Sequence, residues 1–452
     1  MRSTLRHGAR RAAAVLATLA TAALLAPVLP GSPATASPPG DGGAPPSTDG
    51  FDATLTRWDD VRDWRHGDLD GLRATGRGLT LARGDLDRER YTDPHAGEGA
   101  TARLYDVGTW TSPVVDLGYD LDEAVTSWNA DTPTGTWVET LFRGRHDDGS
   151  WTKWFVLGRW TSGMDFAGGD IHRTSLDGQG DTDGTVYTDT FSARTGREPV
   201  AFQTQVRLYR PVSRRDDRGP RVRQVTTMSS ELVPDDAQPT SAFTLGRAVE
   251  LDVPRYSQNI HKGEYPDYGG GGQVWCSPTS SSMVLRWWGR RYAPSARETA
   301  DIDVPQDPQV PYAAMHTWDF TYEGAGNWPF NAAYAGSRGL DAFVTRLRSL
   351  AEVERFVALG IPVVVSLSWD LEEMPEAGYD TDGHLMVVVG FTADGDPVLN
   401  DPASSSNDAV RNVYTRENFE KVWQESTGGI SYVYTRPGTR LPAHVPGTTP
   451  NW

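Results

Sequence analysis

Apolar and polar positions change rhythm partway along the chain. Between Phe51 and Leu232 the dominant period is two. In Phe202-Gln203-Thr204-Gln205-Val206-Arg207-Leu208, Phe202, Val206 and Leu208 share one face with Thr204, while Gln203, Gln205 and Arg207 point the other way. That is the pattern of a half-buried strand. Residues 137–143 and 152–160 alternate similarly, and Asp147-Asp148-Gly149 between them reads as a hairpin turn. Gly- and Asp-rich turns recur without long helical periodicity. Together they predict an all-β accessory domain over 51–232, an antiparallel sandwich.

From Val249 onward the pattern mixes helix and strand. Pro278 suits the first turn of a helix, where its missing N–H costs nothing. Met283, Val284, Trp287 and Trp288 give that helix an apolar face, and Gly289 stops it. A second helix is expected over 349–359, with Ser349 and Glu352 as a capping box and Gly360 and Pro362 ending it. Strands are expected at 361–369, 384–392, 397–401 and 430–434, with a helix at 416–424. These elements predict an α+β domain over 248–437. Residues 233–247, with Pro234, Asp235, Asp236, Pro239 and Thr240, read as a linker, and 438–452 as a loose tail.

The first 36 residues predict a secretory signal. Arg2, Arg6, Arg10 and Arg11 give a basic start, residues 12–29 are apolar, and Ala34-Thr35-Ala36 offers a cleavage site. Residues 37–50 read as a disordered linker. No later stretch is apolar over the roughly 20 residues a membrane span needs. A secreted protein, cleaved near Ala36 and without a transmembrane segment, is the expectation. The chain carries a net charge of −17, and losing the four signal arginines takes it to −21. Nucleic acid and anionic lipid, which need basic patches, are excluded as main partners.

Cys276 is the only cysteine. Exported proteins use cysteines mainly in disulfides, so a lone one is an inert thiol, an intermolecular link or a nucleophile. It follows the glycine run 269–272 and stands where a loop enters a helix. A thiolate is the reactive form, and a helix N-terminus or a nearby imidazolium favours it. Of the nine histidines, His7 falls in the signal, His444 in the tail, and His66, His95, His146 and His172 in the first half. His261, His316 and His384 remain. His384 is placed best, because the buried-type strand it begins would fix its rotamer. Asp401 follows at the end of the next short strand, and adjacent antiparallel strands would bring it beside His384 to orient the imidazole. Asn400 is the fallback orienter.

These stretches resemble papain-like cysteine peptidases of the bacteriocin-processing type (peptidase family C-39), in the exported, stand-alone branch. The likeness is carried by Val253-Pro254-Arg255-Tyr256-Ser257-Gln258, Trp275-Cys276-Ser277-Pro278-Thr279-Ser280, Gly383-His384-Leu385-Met386-Val387-Val388-Val389-Gly390-Phe391, Asn400-Asp401-Pro402-Ala403 and Phe419-Glu420-Lys421-Val422-Trp423. It covers about residues 249–436 and leaves the first half unmatched. It implies Cys276 as nucleophile, His384 as base and acid, Asp401 as orienter and Gln258 as oxyanion-hole donor. Ser277 stands where the family usually has glycine, and the long spacing from Gln258 makes Gln273 its rival.

The resulting expectation is a secreted cysteine peptidase or amidase acting on a peptide or protein substrate, with no cofactor and no metal. The alternative is a degenerate surface protein that binds glycan or peptide. Trp110, Trp137, Trp151, Trp154 and Trp160 fit either a sugar-stacking platform for cell-wall glycan or core packing. The acids of 177–189 fit a calcium loop or a solvated turn, and the missing closing Glu favours the turn.

Overall fold

The computed structural model describes residues 51–214, 218–232 and 239–452; the signal, the 37–50 segment and most of the acidic part of the 233–247 linker lie outside them. The structure is mostly β, with three antiparallel seven-stranded sheets and a few helices. Two sheets make the first half. In one, the neighbours run Gly184–Tyr187, Thr190–Ala193, Glu123–Asp131, Arg221–Ser230, Gly78–Leu81 and Leu72–Thr75, with Ala53–Trp58 also on Arg221–Ser230. In the other, Phe155–Trp160, Trp137–Arg145, Ala201–Pro211, Arg103–Thr111 and Asp68–Asp70 follow one another. Their inner faces meet through aromatics: Trp58 against Trp110 at 5.4 Å and Phe142 against Phe191 at 4.8 Å between ring centroids. The expected hairpin forms, with Trp137–Arg145 paired to Phe155–Trp160 and Gly149 at φ 84° in the turn.

The third sheet runs Asp341–Arg346, Ile430–Thr435, Val363–Trp369, Thr381–Phe391, Pro397–Asn400 and Arg411–Val413. Helices Cys276–Trp288, Trp328–Ser337, Leu350–Ala358 and Arg416–Thr427 pack against it. The expected capping box is not made. Ser349 caps with no side-chain bond, and Glu352 turns back to take the N–H of Arg348 at 2.8 Å and its guanidinium at 3.0 Å. The free N–H of Leu350 is taken instead by Glu420, at 2.6 Å. A buried arginine outcompetes a solvated cap for the carboxylate, because an unpaired buried charge is the costlier outcome.

The two halves are tightly joined. One hydrophobic cluster runs through both, from Trp58 and Trp128 to Phe330, Phe343 and Tyr434. The open edge of strand Asp341–Arg346 is covered by polar side chains of the first sheet. Asn129 donates to the Ala342 carbonyl at 2.6 Å and accepts its N–H at 2.9 Å, and Ser127 accepts the Val344 N–H at 3.1 Å. An exposed strand edge would otherwise invite pairing with another chain. Arg346 pairs with Glu123 across the same interface, both buried.

The tail is not loose. Pro450 accepts the N–H of Leu55, Asn451 donates to Arg346 and Glu352, and the Trp452 ring sits 5.1 Å from that of Phe356. Its polar, Gly- and Pro-rich composition hid two buried anchors at the very end. The described part of the linker is held too, with Ser241 bonded to Glu420 and Thr244 to Glu354.

Candidate active site

Cys276 opens a thirteen-residue helix, two residues earlier than Pro278 alone would place it, and is 8 % exposed. Trp275 anchors the turn before it: its ring is buried and its indole N–H reaches the Tyr268 carbonyl at 2.7 Å. The four glycines 269–272 all take positive φ, from 55° to 84°. At Gly271 a Cβ would stand 2.0 Å from the His261 carbonyl oxygen. Only glycine permits this backbone to pass so close behind the cysteine. The Ser277 hydroxyl turns inward to Tyr432, 3.1 Å away, so it does not narrow the approach to the sulfur.

His384 lies on strand Thr381–Phe391, three residues in rather than at its start. The neighbouring strand pairs Asn400 with Val387. Continued by one residue, that register sets Asp401 opposite Met386, on the same sheet face as His384. Asp401 Oδ1 is 2.8 Å from His384 Nε2, and both residues are buried. The Cys276 side chain also acts on the imidazole, raising its pKa. With Nε2 engaged by Asp401, Nδ1 is the nitrogen left for the thiol.

Asp401 is held by more than the histidine. Its Oδ2 accepts the hydroxyls of Tyr379 at 2.9 Å and Tyr414 at 2.8 Å, and Oδ1 accepts the Ala403 N–H at 2.8 Å. Burial alone would raise the carboxyl pKa, but His384, Tyr414 and the Ala403 N–H hold it below the ordinary carboxylate range. Burial likewise opposes a charged His384, and Asp401 and the Cys276 side chain outweigh it, raising the imidazole to about 10. The Trp369 ring stands edge-on 5.8 Å from His384 and screens it from water on that side.

The remaining candidates sort cleanly. Gln258 is buried, its side-chain Oε1 is unpartnered, and its backbone N–H bonds the Pro402 carbonyl at 2.8 Å, one residue past Asp401. Gln273 is exposed. Asn400 is turned away to the carbonyls of Val253 and Pro254, both at 3.2 Å. His261 pairs with Glu264, and His316 donates to the Tyr312 carbonyl, its pKa pushed down to about 3 by burial and Arg173. Tyr379 and Tyr414 went unnoticed in the sequence. No motif spacing flags them, because they reach Asp401 from a loop and from beyond the sheet.

Trp110, Trp137 and Trp160 are core residues, and Trp151 and Trp154 close on Arg143 at 4.3 and 4.5 Å. In the acidic loop, Asp181 accepts two N–H groups of its own turn and pairs with Lys153, and Asp183 pairs with Arg197. Asp189 is different. It is 5 % exposed, takes the Trp328 N–H at 2.6 Å, and burial pushes its carboxyl up to about 7.

Residues 250–431 match the Peptidase_C39 like family, and residues 54–230 match the Peptidase C39 N-terminal domain. The second match extends the likeness into the half that the sequence motifs left unassigned. A solved structure described as a C39-like peptidase from Bacillus anthracis is 19% identical, with a TM-score of 0.27, over 43% of this chain and 99% of that chain. No curated protein matches. Cys276, His384 and Asp401 thus all fall within the stretch that matches the Peptidase_C39 like family, and the stretch before them matches the Peptidase C39 N-terminal domain.

Proposed function

We propose that the protein is a secreted cysteine peptidase or amidase in which Cys276, His384 and Asp401 form a papain-like triad. The observation that carries this reading is the His384 imidazole, bonded at Nε2 to Asp401 and raised in pKa by both Asp401 and the Cys276 side chain. A thiolate–imidazolium pair at a helix N-terminus is a ready nucleophile.

The Cys276 sulfur attacks the carbonyl carbon of an amide, forming a C–S bond and an oxyanion. The oxyanion is received by the Cys276 N–H, which as the first of its helix has no intrahelical acceptor, and by the Gln258 amide. His384 gives its proton to the leaving amine as the C–N bond breaks, leaving a thioester. Water then attacks, His384 takes its proton, and the C–S bond breaks to release the acid and the thiol. Asp401, fixed by two tyrosines, keeps the ring aligned through both steps.

The test is mass spectrometry of a peptide library incubated with the protein and with Cys276→Ala. Loss of all cleavage in the variant, with an unchanged circular dichroism spectrum, is expected. Cleavage that persists in Cys276→Ala overturns the reading.

A further inference from the structure

The loop between Trp318 and Trp328 crosses beside the nucleophile and is built largely by the N-terminal half. Its entry abuts the segment leading into Cys276: a Cβ on Gly269 would touch both Val274, at 2.7 Å, and Trp318, at 3.4 Å. Its exit becomes helix Trp328–Ser337, whose Asn331 meets Ser281 of the Cys276 helix at 3.3 Å. Between these points the loop is sewn to the first half. Arg173, wholly buried, donates its Nε–H to the Trp318 carbonyl at 3.2 Å and accepts the Phe320 N–H on its backbone carbonyl at 2.9 Å. Asp319 gathers the N–H groups of Ser175, Thr321 and Tyr322 on one oxygen and the Asn327 amide on the other. Asp189 takes the Trp328 N–H.

This scaffold leaves the neighbouring Tyr322 and Glu323 exposed at its tip, and Tyr322 is its large apolar side chain there. Tyr322 is 52 % exposed, on a tight turn in which Glu323 takes φ 54° and the ring lies against Gly324, where a Cβ would stand 2.6 Å from it. Its phenol pKa is raised, by desolvation of the hydroxyl first and then by Cys276, Asp189 and Asp319, while about half of the residue's surface stays open. Val274, two residues before Cys276, is 46 % exposed. Large apolar side chains held open by a fixed frame next to a nucleophile are what a binding subsite requires.

We propose that Tyr322 and Val274 form a subsite beside Cys276 for an apolar side chain of a peptide substrate, and that the N-terminal half belongs to this subsite because it holds the loop presenting Tyr322. The inference rests on the cysteine-peptidase reading and names the substrate class for it.

The test uses three probes, the chloromethyl ketones of acetyl-Phe-Gly, acetyl-Gly-Phe and acetyl-Gly-Gly, with iodoacetamide as a reference for the thiolate alone. In the peptidyl probes Cys276 sulfur displaces chloride from the methylene carbon, leaving a thioether. One Phe-bearing probe is expected to label the full-length protein at least about tenfold faster than Gly-Gly, the order that filling an apolar pocket supplies. Tyr322→Ala should abolish that preference and Tyr322→Phe retain it. Gly324→Ala, which pushes on the ring, should reduce it. Asp189→Ala should reduce it as well, because the N-terminal half then loses its hold on Trp328. Equal labelling by all three peptidyl probes, or a preference that survives Tyr322→Ala, overturns the subsite and leaves the nucleophile standing. An unchanged preference both in Asp189→Ala and in a variant that also carries Arg173→Ala removes the N-terminal half from it. Failure of iodoacetamide and every probe to label the wild type overturns the peptidase reading and the subsite together.

Discussion

Asp401 receives His384 Nε2 on one carboxylate oxygen at 2.8 Å and two tyrosine hydroxyls on the other. The division of labour matters. Tyr379 and Tyr414 satisfy the oxygen that the imidazole does not reach, so the carboxylate stays ionised although it is buried. A buried carboxylate lacking such donors would tend to protonate and stop orienting the ring.

Replacing Asp401 by Asn should keep the shape and remove the charge. The amide can also offer N–H to the ring and favour the wrong tautomer. We expect kcat/KM to fall by roughly 10²- to 10⁴-fold, the range known for orienting carboxylates and proton-transfer groups. Tyr379→Phe and Tyr414→Phe should each give a smaller loss. The check is steady-state kinetics on a peptide found in the library screen, and wild-type rates in Asp401→Asn would remove Asp401 from the triad.

His384 beside Cys276 should make the sulfur a faster nucleophile. Iodoacetamide should therefore modify Cys276 rapidly at pH 6, and His384→Ala should slow it by at least about tenfold, since the thiolate is the reactive form. Equal rates in both proteins would make Cys276 a structural thiol.

Much of the candidate site is legible in the sequence. Cys276 after a glycine run, His384 before Leu385–Gly390 and Asp401 before a proline are local patterns whose chemistry follows from strand pairing. Period-two alternation likewise sufficed for the hairpin, because edge and face are set within a few residues. What stayed hidden depends on contacts across long separations. Tyr379 and Tyr414 look like ordinary strand or loop aromatics. Asp189 looked like one more acid in a solvated turn, yet it is buried against a helix that begins 139 residues later. The capping box at Ser349 failed partly for the same reason: Arg348, only four residues away, takes Glu352, and Asn451, 99 residues on, holds it there.

The His384–Asp401 pair should also write itself into stability against pH. His384 is raised above its ordinary value to about 10, so its contribution is full below about pH 6.5 and is lost as pH rises through 10. Asp401 is lowered, so its contribution is present above about pH 4 and is lost as pH falls through its folded value. Between pH 7 and 10, in a Cys276→Ala background, the protein should lose more unfolding free energy than the same protein carrying His384→Ala. Urea titrations at several pH values check this, and parallel curves would deny the coupling.

Asp189 should act with the opposite sign. Burial raises its carboxyl to about 7, so the folded state holds a proton that the unfolded chain has released. Stability should fall as pH rises from 4 to 7, by at most about 4 kcal/mol for a shift of this size. Asp189→Asn should flatten that fall, measured as the difference between the two proteins' unfolding free energies at pH 4.5 and 7.5. An undiminished fall in the variant would show that the carboxyl is ionised throughout.

The two halves should unfold as one body. Their shared core and the Glu123–Arg346 pair leave neither half with a complete surface of its own. Glu123→Ala strands a buried guanidinium, so we expect a loss of about 3–5 kcal/mol. Because the pair sits where strand Asp341–Arg346 meets the first sheet, that loss should lower the urea midpoint seen by fluorescence of first-half tryptophans and the midpoint for exposure of Cys276 to a thiol reagent equally. Two separated midpoints in the wild type, or a shift in only one of them on mutation, would mean that the halves are independent units joined by a weak interface. A single shifted midpoint makes the N-terminal half a structural part of the domain that carries the nucleophile, which is also what its grip on the Tyr322 loop requires.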